Sequence, residues 1–203
     1  MPILPPLLHR ARTRLTALDR PSESSMRRLA LLSSLVLAAA CSGSRPNTDA
    51  APAPANITAR AEMRDREGRA LGVMTLQQTP LGVLVTGDLT GLPNGVHAMH
   101  FHDVGRCDPP FTSAGGHFNP TQRAHGFRNR AGYHAGDLPN FHAASTGSVR
   151  VDHFSREVTL GTGPTSLLDG DGSSIVVHAA ADDYVSDPAG NSGDRIACGV
   201  ITR

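Results

Sequence analysis

From residue 57 onward, apolar and polar positions alternate with a period of two, the pattern of strands with one buried face. ITARAEMR (57–64), ALGVMTLQQ (70–78) and GVLVTGDL (82–89) carry this alternation. The links between them, Asp65-Arg66-Glu67-Gly68 and Thr79-Pro80-Leu81, have the length and residue types of hairpin turns. Gly91-Leu92-Pro93-Asn94-Gly95 turns the chain into GVHAMHFHDVG, and the second half repeats the grammar at STGSVRVDH, REVTL, SSIVVHAA and RIACGVIT. Eight short strands, few helix signals and frequent Gly and Pro predict an all-β antiparallel barrel or sandwich. Two stretches break the alternation, Asp103 to Leu138 and Ala180 to Asp194. A structureless loop as long as the first, inside a compact domain, is usually functional.

The start of the chain obeys different rules. Residues 26–41, MRRLALLSSLVLAAAC, place two arginines before an apolar run and then small residues, the order of a secretory signal. The apolar run, Leu29 to Ala40, is too short to span a bilayer. Its end resembles a bacterial lipoprotein signal, which implies lipidation of Cys41 and attachment to a membrane; Ala39 and Ala40 fit, whereas Ala38 stands where leucine is usual. Residues 1–25 are an odd prefix to such a signal, and Met26 is the expected true start. Residues 42–56, rich in Ser, Pro and Ala, read as an extended tether, leaving one folded domain at 57–203.

Composition adds constraints. Without Cys41 the cysteines are an even pair, Cys107 and Cys198, and an oxidising compartment favours a disulfide between them over two separate thiols. The formal net charge is +1, but arginines of the first 40 residues supply much of the positive side. The domain itself is mildly acidic, so nucleic acid is not an expected partner. The chain has no lysine, which reads as a compositional bias.

The candidate chemistry lies in the histidines. On a strand His100 and His102 project to one side and His97 to the other. His117, His125, His134 with Asp137 three residues on, and His178 follow in or beside the irregular stretches. Imidazole suits zinc and copper, whereas all-oxygen sites suit magnesium and calcium. Three histidines with one carboxylate make a closed tetrahedral set for zinc, and His100, His102 and His178 make a nitrogen-rich set with an open edge suited to copper. Asp169-Gly170-Asp171-Gly172 lacks the remaining ligands of a calcium loop and reads as a turn.

GVHAMHFHDVG, TSAGGHFNP, YHAGDLPN, IVVHAAADD and GNSGDRIACGV resemble, in order, the signature blocks of copper-zinc superoxide dismutases, over Ile57 to Arg203 and with the family's histidine spacings. The resemblance implies an eight-stranded Greek-key barrel with a long metal-binding loop and a second active-site loop. It implies copper on His100, His102, His117 and His178, zinc on His117, His125, His134 and Asp137, and His117 as an imidazolate shared by both. Asp182 matches an aspartate linking a copper histidine to a zinc histidine, Arg195 an arginine beside the copper opening, His97 a structural histidine, and Cys107–Cys198 a disulfide. His142 and His153 match no ligand. The implied reaction is dismutation of superoxide to dioxygen and hydrogen peroxide by copper redox cycling, with zinc structural, in an exported protein of the periplasm or cell envelope, monomeric or homodimeric.

The chain departs from the pattern in two places. Cys107 lies ten residues before His117, further than in many members, and the loop before Arg195 holds Asp182, Asp183, Asp187 and Asp194 without the lysines that often draw superoxide inward. Arg123, Arg128 and Arg130 are candidates to compensate. The competing reading is a non-enzymatic module for copper or zinc delivery or storage on the same barrel.

Overall fold

The computed structural model describes residues 56–203; the expectations for residues 1–25, the signal at 26–41 with Cys41, and nearly all of the tether lie outside them. Nine strands form. They are β1 (Thr58–Asp65), β2 (Ala70–Thr79), β3 (Gly82–Leu89), β4 (Gly95–His97), β5 (Met99–His102), β6 (Phe141–Ala143), β7 (Val149–Ser155), β8 (Ser174–His178) and β9 (Arg195–Thr202). Seven make one antiparallel sheet in the order β5-β8-β9-β1-β2-β3-β7, and β4 pairs with β6. β4 runs through Ala98 into β5 at one edge of the sheet, while β6 turns through residues 144–148 into β7 at the other edge. The small pair therefore joins the two edges. With β4 and β5 counted as one strand, the result is an eight-stranded Greek-key barrel whose β3–β4 and β7–β8 connections skip neighbours.

The alternation produces the core. On β1, Ala59, Ala61 and Met63 point inward, and β2 contributes Leu71, Met74 and Leu76. Leu71 and Met74 both face in because a bulge opposite Met63 shifts the register at Gly72. Gly72 has φ +146, and a Cβ there would overlap the carbonyl oxygen of Asp88. β5 is buried on both faces: Met99 and Phe101 enter the core, while His100 and His102 lie under the long loop.

One expected strand does not form. In REVTL, Val158 and Leu160 are buried as the alternation requires, but the segment joins neither sheet: one local bridge links Thr159 to Ser166, and a side chain holds the rest. Gln78 Oε1 accepts from Thr159 Oγ1 at 2.8 Å and from the Leu160 N–H at 2.7 Å. The eighth strand is instead β6, three residues long.

Candidate metal centre

Three parts of the chain converge on one end of β5. β5 brings His100 and His102, the loop at 103–138 brings His117, His125, His134 and Asp137, and the end of β8 brings His178. All seven are buried, His100, His102 and His125 completely. One donor atom from each of His100, His102, His117 and His178 falls within 4.8 Å of the others, and the same holds for His117, His125, His134 and Asp137.

The second set is closely drawn. Asp137 Oδ1 lies 2.9 Å from His117 Nδ1, 3.0 Å from His125 Nδ1 and 3.4 Å from His134 Nδ1, and the last is 3.3 Å from His117 Nδ1. A tetrahedral ion with bonds of about 2.0 Å has ligand-to-ligand edges of about 3.3 Å, so four donors at these separations fit zinc. Hydrogen bonding alone accounts for them poorly, since it would need three ring N–H groups on one carboxylate oxygen.

The first set is defined by atoms with no other partner. His100 Nδ1, His102 Nε2, His117 Nε2 and His178 Nε2 are buried and make no hydrogen bond. Buried polar atoms are rarely left so. Four converging lone pairs fit copper. The opposite nitrogen of each ring is held: His102 Nδ1 by Gly115 O at 3.1 Å, His178 Nδ1 by Gly193 O at 3.2 Å, and His100 Nε2 by Asp182 Oδ2 at 2.9 Å. These contacts fix which nitrogen carries the proton and aim the other. His117 alone belongs to both sets, through opposite nitrogens.

Asp182 joins the two halves, for its Oδ1 lies 2.9 Å from His125 Nε2. Asn140 in turn grips the Asp182 main chain, accepting its N–H at 2.9 Å and donating to its carbonyl at 2.8 Å. Gly190, with φ +62, lies against the bridge, where a Cβ would overlap Asp182 Oδ1 and His125 Nε2.

The electrostatics of the metal-free site follow from burial and these contacts. Burial holds His102 well below the usual imidazole range, and it lowers His178 to about 3 and His117 to about 4, in the last case against the pull of Asp137. These rings are neutral at pH 7, with lone pairs available to a metal. Burial also opposes charge on His125, but hydrogen bonds to Asp137 and Asp182 outweigh it and raise that ring to about 9. Burial would raise both carboxyls, yet hydrogen bonds from their histidines hold Asp137 and Asp182 far below the carboxylate range.

A cleft reaches this centre, lined by His117, His178, His134, Arg195, Arg123 and Asp187. Arg195 opens β9, and its guanidinium is fixed by Phe111 O at 2.6 Å and Gly115 O at 2.7 Å. Gly115 O thus serves both Arg195 and His102. Cys107 and Cys198 form a disulfide with a Cα–Cα distance of 5.7 Å, despite the longer spacing to His117, and it pins the loop carrying Phe111 to β9.

The remaining loop charges separate. Arg123 lines the cleft, whereas Arg128 lies over the Tyr184 ring at 5.8 Å. Asp183 is held at about 2 by the Ser186 hydroxyl and the N–H groups of its turn, and Asp187 accepts the His125 N–H at 2.6 Å. Asp194 pairs with Arg66 at 3.3 Å. His97 faces carbonyls with both nitrogens, His178 O at 2.9 Å and Pro93 O at 2.8 Å, which leaves none for a metal. Among the described residues, His142 and His153 join no ligand group. Asn140 and Gly190 stand at the ends of the blocks YHAGDLPN and GNSGDRIACGV without a role of their own being legible there, and nothing in the sequence marked Arg66.

The comparisons agree with this geometry. The family model for copper/zinc superoxide dismutase matches residues 70–201. Superoxide dismutase (Cu-Zn) 1 of Aquifex aeolicus is 46% identical over 148 residues, covering 71% of this chain and 88% of that protein. The Caulobacter vibrioides superoxide dismutase (Cu-Zn) is 43% identical over 148 residues, covering 71% and 85%. Among solved structures, an SOD-like protein from Bacillus subtilis superimposes with a TM-score of 0.68 at 37% identity, covering 70% of this chain and 97% of that one. The Cu/Zn superoxide dismutase from Brucella abortus gives 0.62 at 26% identity, covering 72% and 100%. The chain therefore belongs to the copper/zinc superoxide dismutase family, an oxidoreductase family that uses copper and zinc.

Proposed function

We propose that the barrel at 57–203 dismutes superoxide to dioxygen and hydrogen peroxide, with His100, His102, His117 and His178 as the copper ligands and His117, His125, His134 and Asp137 as the zinc ligands. The single observation that carries this reading is the convergence of four partnerless buried nitrogens beside Arg195. Copper there supplies a one-electron redox couple, and zinc holds the loop.

Everything else is done by the chain's own groups. The Arg195 guanidinium holds the small anion at the cleft floor by charge, being itself fixed by two carbonyls. His117 gives up its remaining N–H proton to serve both sets, and its Nε2 is the atom that takes up and returns a proton between the half-reactions. Asp182 holds His100 and His125 in register.

The N-terminal segment favours export, with residues 26–41 as the signal, lipidation at Cys41, and residues 42–56 as a tether to the membrane of the periplasm or cell envelope. A module for metal delivery or storage would need neither the fixed guanidinium nor the shared histidine.

The test is superoxide dismutation by the chain loaded with copper and zinc, with metal analysis and a His117→Ala variant. Fast turnover with one copper and one zinc per chain, impaired in the variant, supports the enzyme. Stoichiometric metal without turnover rejects it in favour of the binding module.

A further inference from the structure

We propose that Arg66, in the turn between β1 and β2, is a positioning residue for Arg195, holding its main chain and cancelling the one carboxylate adjacent to it in sequence. This rests on the reading of Arg195 as the anion-holding group.

Two contacts carry it. Arg66 Nε donates to the Arg195 carbonyl at 2.7 Å across 129 residues of sequence, and its guanidinium lies 3.3 Å from Asp194 Oδ2. The reach depends on a turn that is itself rigid. Asp65 Oδ1 accepts the N–H groups of Glu67 at 3.1 Å and Arg69 at 2.8 Å, and Asp65 Oδ2 accepts Arg69 Nε at 2.6 Å. Asp65 pairs with Ala197 in the β1–β9 ladder, so the turn is fastened beside the first residues of β9.

β9 needs that fastening at its start. The β8–β9 register slips between Val177 and His178, opposite Arg195, and a bulge disrupts the ladder there. Arg66 lies on the flank of β9 with Asp65, Arg69 and Ile196, away from the cleft, and so does not touch the substrate. Its effect on an anion is indirect. Asp194 immediately precedes Arg195 and is largely exposed. Unpartnered, its charge would oppose the attraction that Arg195 exerts; paired with Arg66, it is neutralised locally.

The test compares the full chain, loaded with copper and zinc, with Arg66→Ala, Asp194→Asn and the double variant. Azide serves as a small monovalent anion, titrated through the visible absorption of the copper, and kcat/KM for superoxide is measured in parallel. One uncompensated charge on the residue next to Arg195 changes affinity about threefold at low ionic strength. Arg66→Ala should therefore weaken azide about threefold, Asp194→Asn should tighten it by a similar factor, and the double variant should return to within about twofold of the parent. All three differences should shrink with added salt.

Unchanged azide affinity in Arg66→Ala, weaker azide in Asp194→Asn, or a double variant no better than Arg66→Ala would each overturn the proposal. Should Arg66→Ala fail to fold, Arg66→Gln, neutral and closer in size, takes its place, with the same expected loss of azide affinity and the same recovery when combined with Asp194→Asn. Azide also separates the two readings: a chain that shows these azide shifts but no superoxide turnover counts against the proposed function and not against Arg66.

Discussion

Replacing Asn140 by alanine should loosen the metal centre without touching a metal ligand. The amide spans the Asp182 main chain with bonds of 2.9 and 2.8 Å, and Asp182 spans His100 and His125 with bonds of 2.9 Å each. Two neutral hydrogen bonds at about 1 kcal/mol apiece give a loss of about 2 kcal/mol. In a domain of this size that lowers the Tm of the metal-free protein by roughly 4–8 °C. The freed Asp182 then aims the two rings less well, and loss of such outer support weakens metal binding by about 10-fold or more.

Calorimetry of the metal-free chain reads the first effect, and competition with a zinc chelator, followed by the visible spectrum of the cobalt-substituted protein, reads the second. Tyr184→Phe is the control. Tyr184 Oη accepts the Asn140 N–H at 2.6 Å without touching the Asp182 carboxylate, so this variant should lose Tm and keep zinc affinity. Asn140→Ala with lowered Tm but unchanged zinc affinity and cobalt spectrum would refute the reasoning, leaving Asn140 as a stitch between loops.

Four further outcomes follow from the same geometry. Gly190→Ala should fold but lose zinc more readily than the parent, since its Cβ would enter the Asp182–His125 contact and φ +62 disfavours any side chain; chelator-driven release at the parent rate would contradict this. Zinc loading near pH 7.5 should release about one proton, from His125 Nδ1, measured by titration calorimetry in two buffers of different ionisation enthalpy. Because the folded value of about 9 lies above the ordinary 6.5, His125 also stabilises the metal-free chain fully below pH 6.5 and stops doing so as pH rises through 9. Cys107→Ser opens a loop with a sequence separation of 91, worth about 4–5 kcal/mol by chain entropy, and should lower Tm in the metal-free and loaded chains alike.

How much of this was legible depended on the range of the interactions. The β1–β3 meander was readable because adjacent strands alternate and short turns leave no choice of partner; only the Gly72 bulge, which turns both Leu71 and Met74 inward, escaped the simple period. REVTL showed the limit of alternation, which reports burial and not pairing: Val158 and Leu160 are inside, yet the segment joins neither sheet and is held by Gln78 and a local bridge to Ser166. β6 was missed because three residues are too few to display a period. At the site, parity correctly put His100 and His102 on one side of β5. The roles of the anchors were hidden for a different reason: Asn140, though inside the YHAGDLPN block, acts across 42 residues and Arg66 across 129, and no local pattern shows such reach.

The arrangement also says where the centre is vulnerable. His102 and His178 are oriented by main-chain carbonyls, those of Gly115 and Gly193, which no side-chain substitution removes. Arg195 leans on Gly115 O as well, so the group proposed to hold the anion and one proposed copper ring share a fixed acceptor. His100 and His125 have no such guarantee, because both depend on the single carboxylate of Asp182, and that carboxylate depends on Asn140, the main-chain N–H of Tyr184 and the small size of Gly190. Since His117 belongs to both sets, slack at Asp182 is felt by both through His100 and His125 together. Substitutions that damage metal binding at a distance should therefore cluster around Asp182 and leave the carbonyl-held side of the site intact.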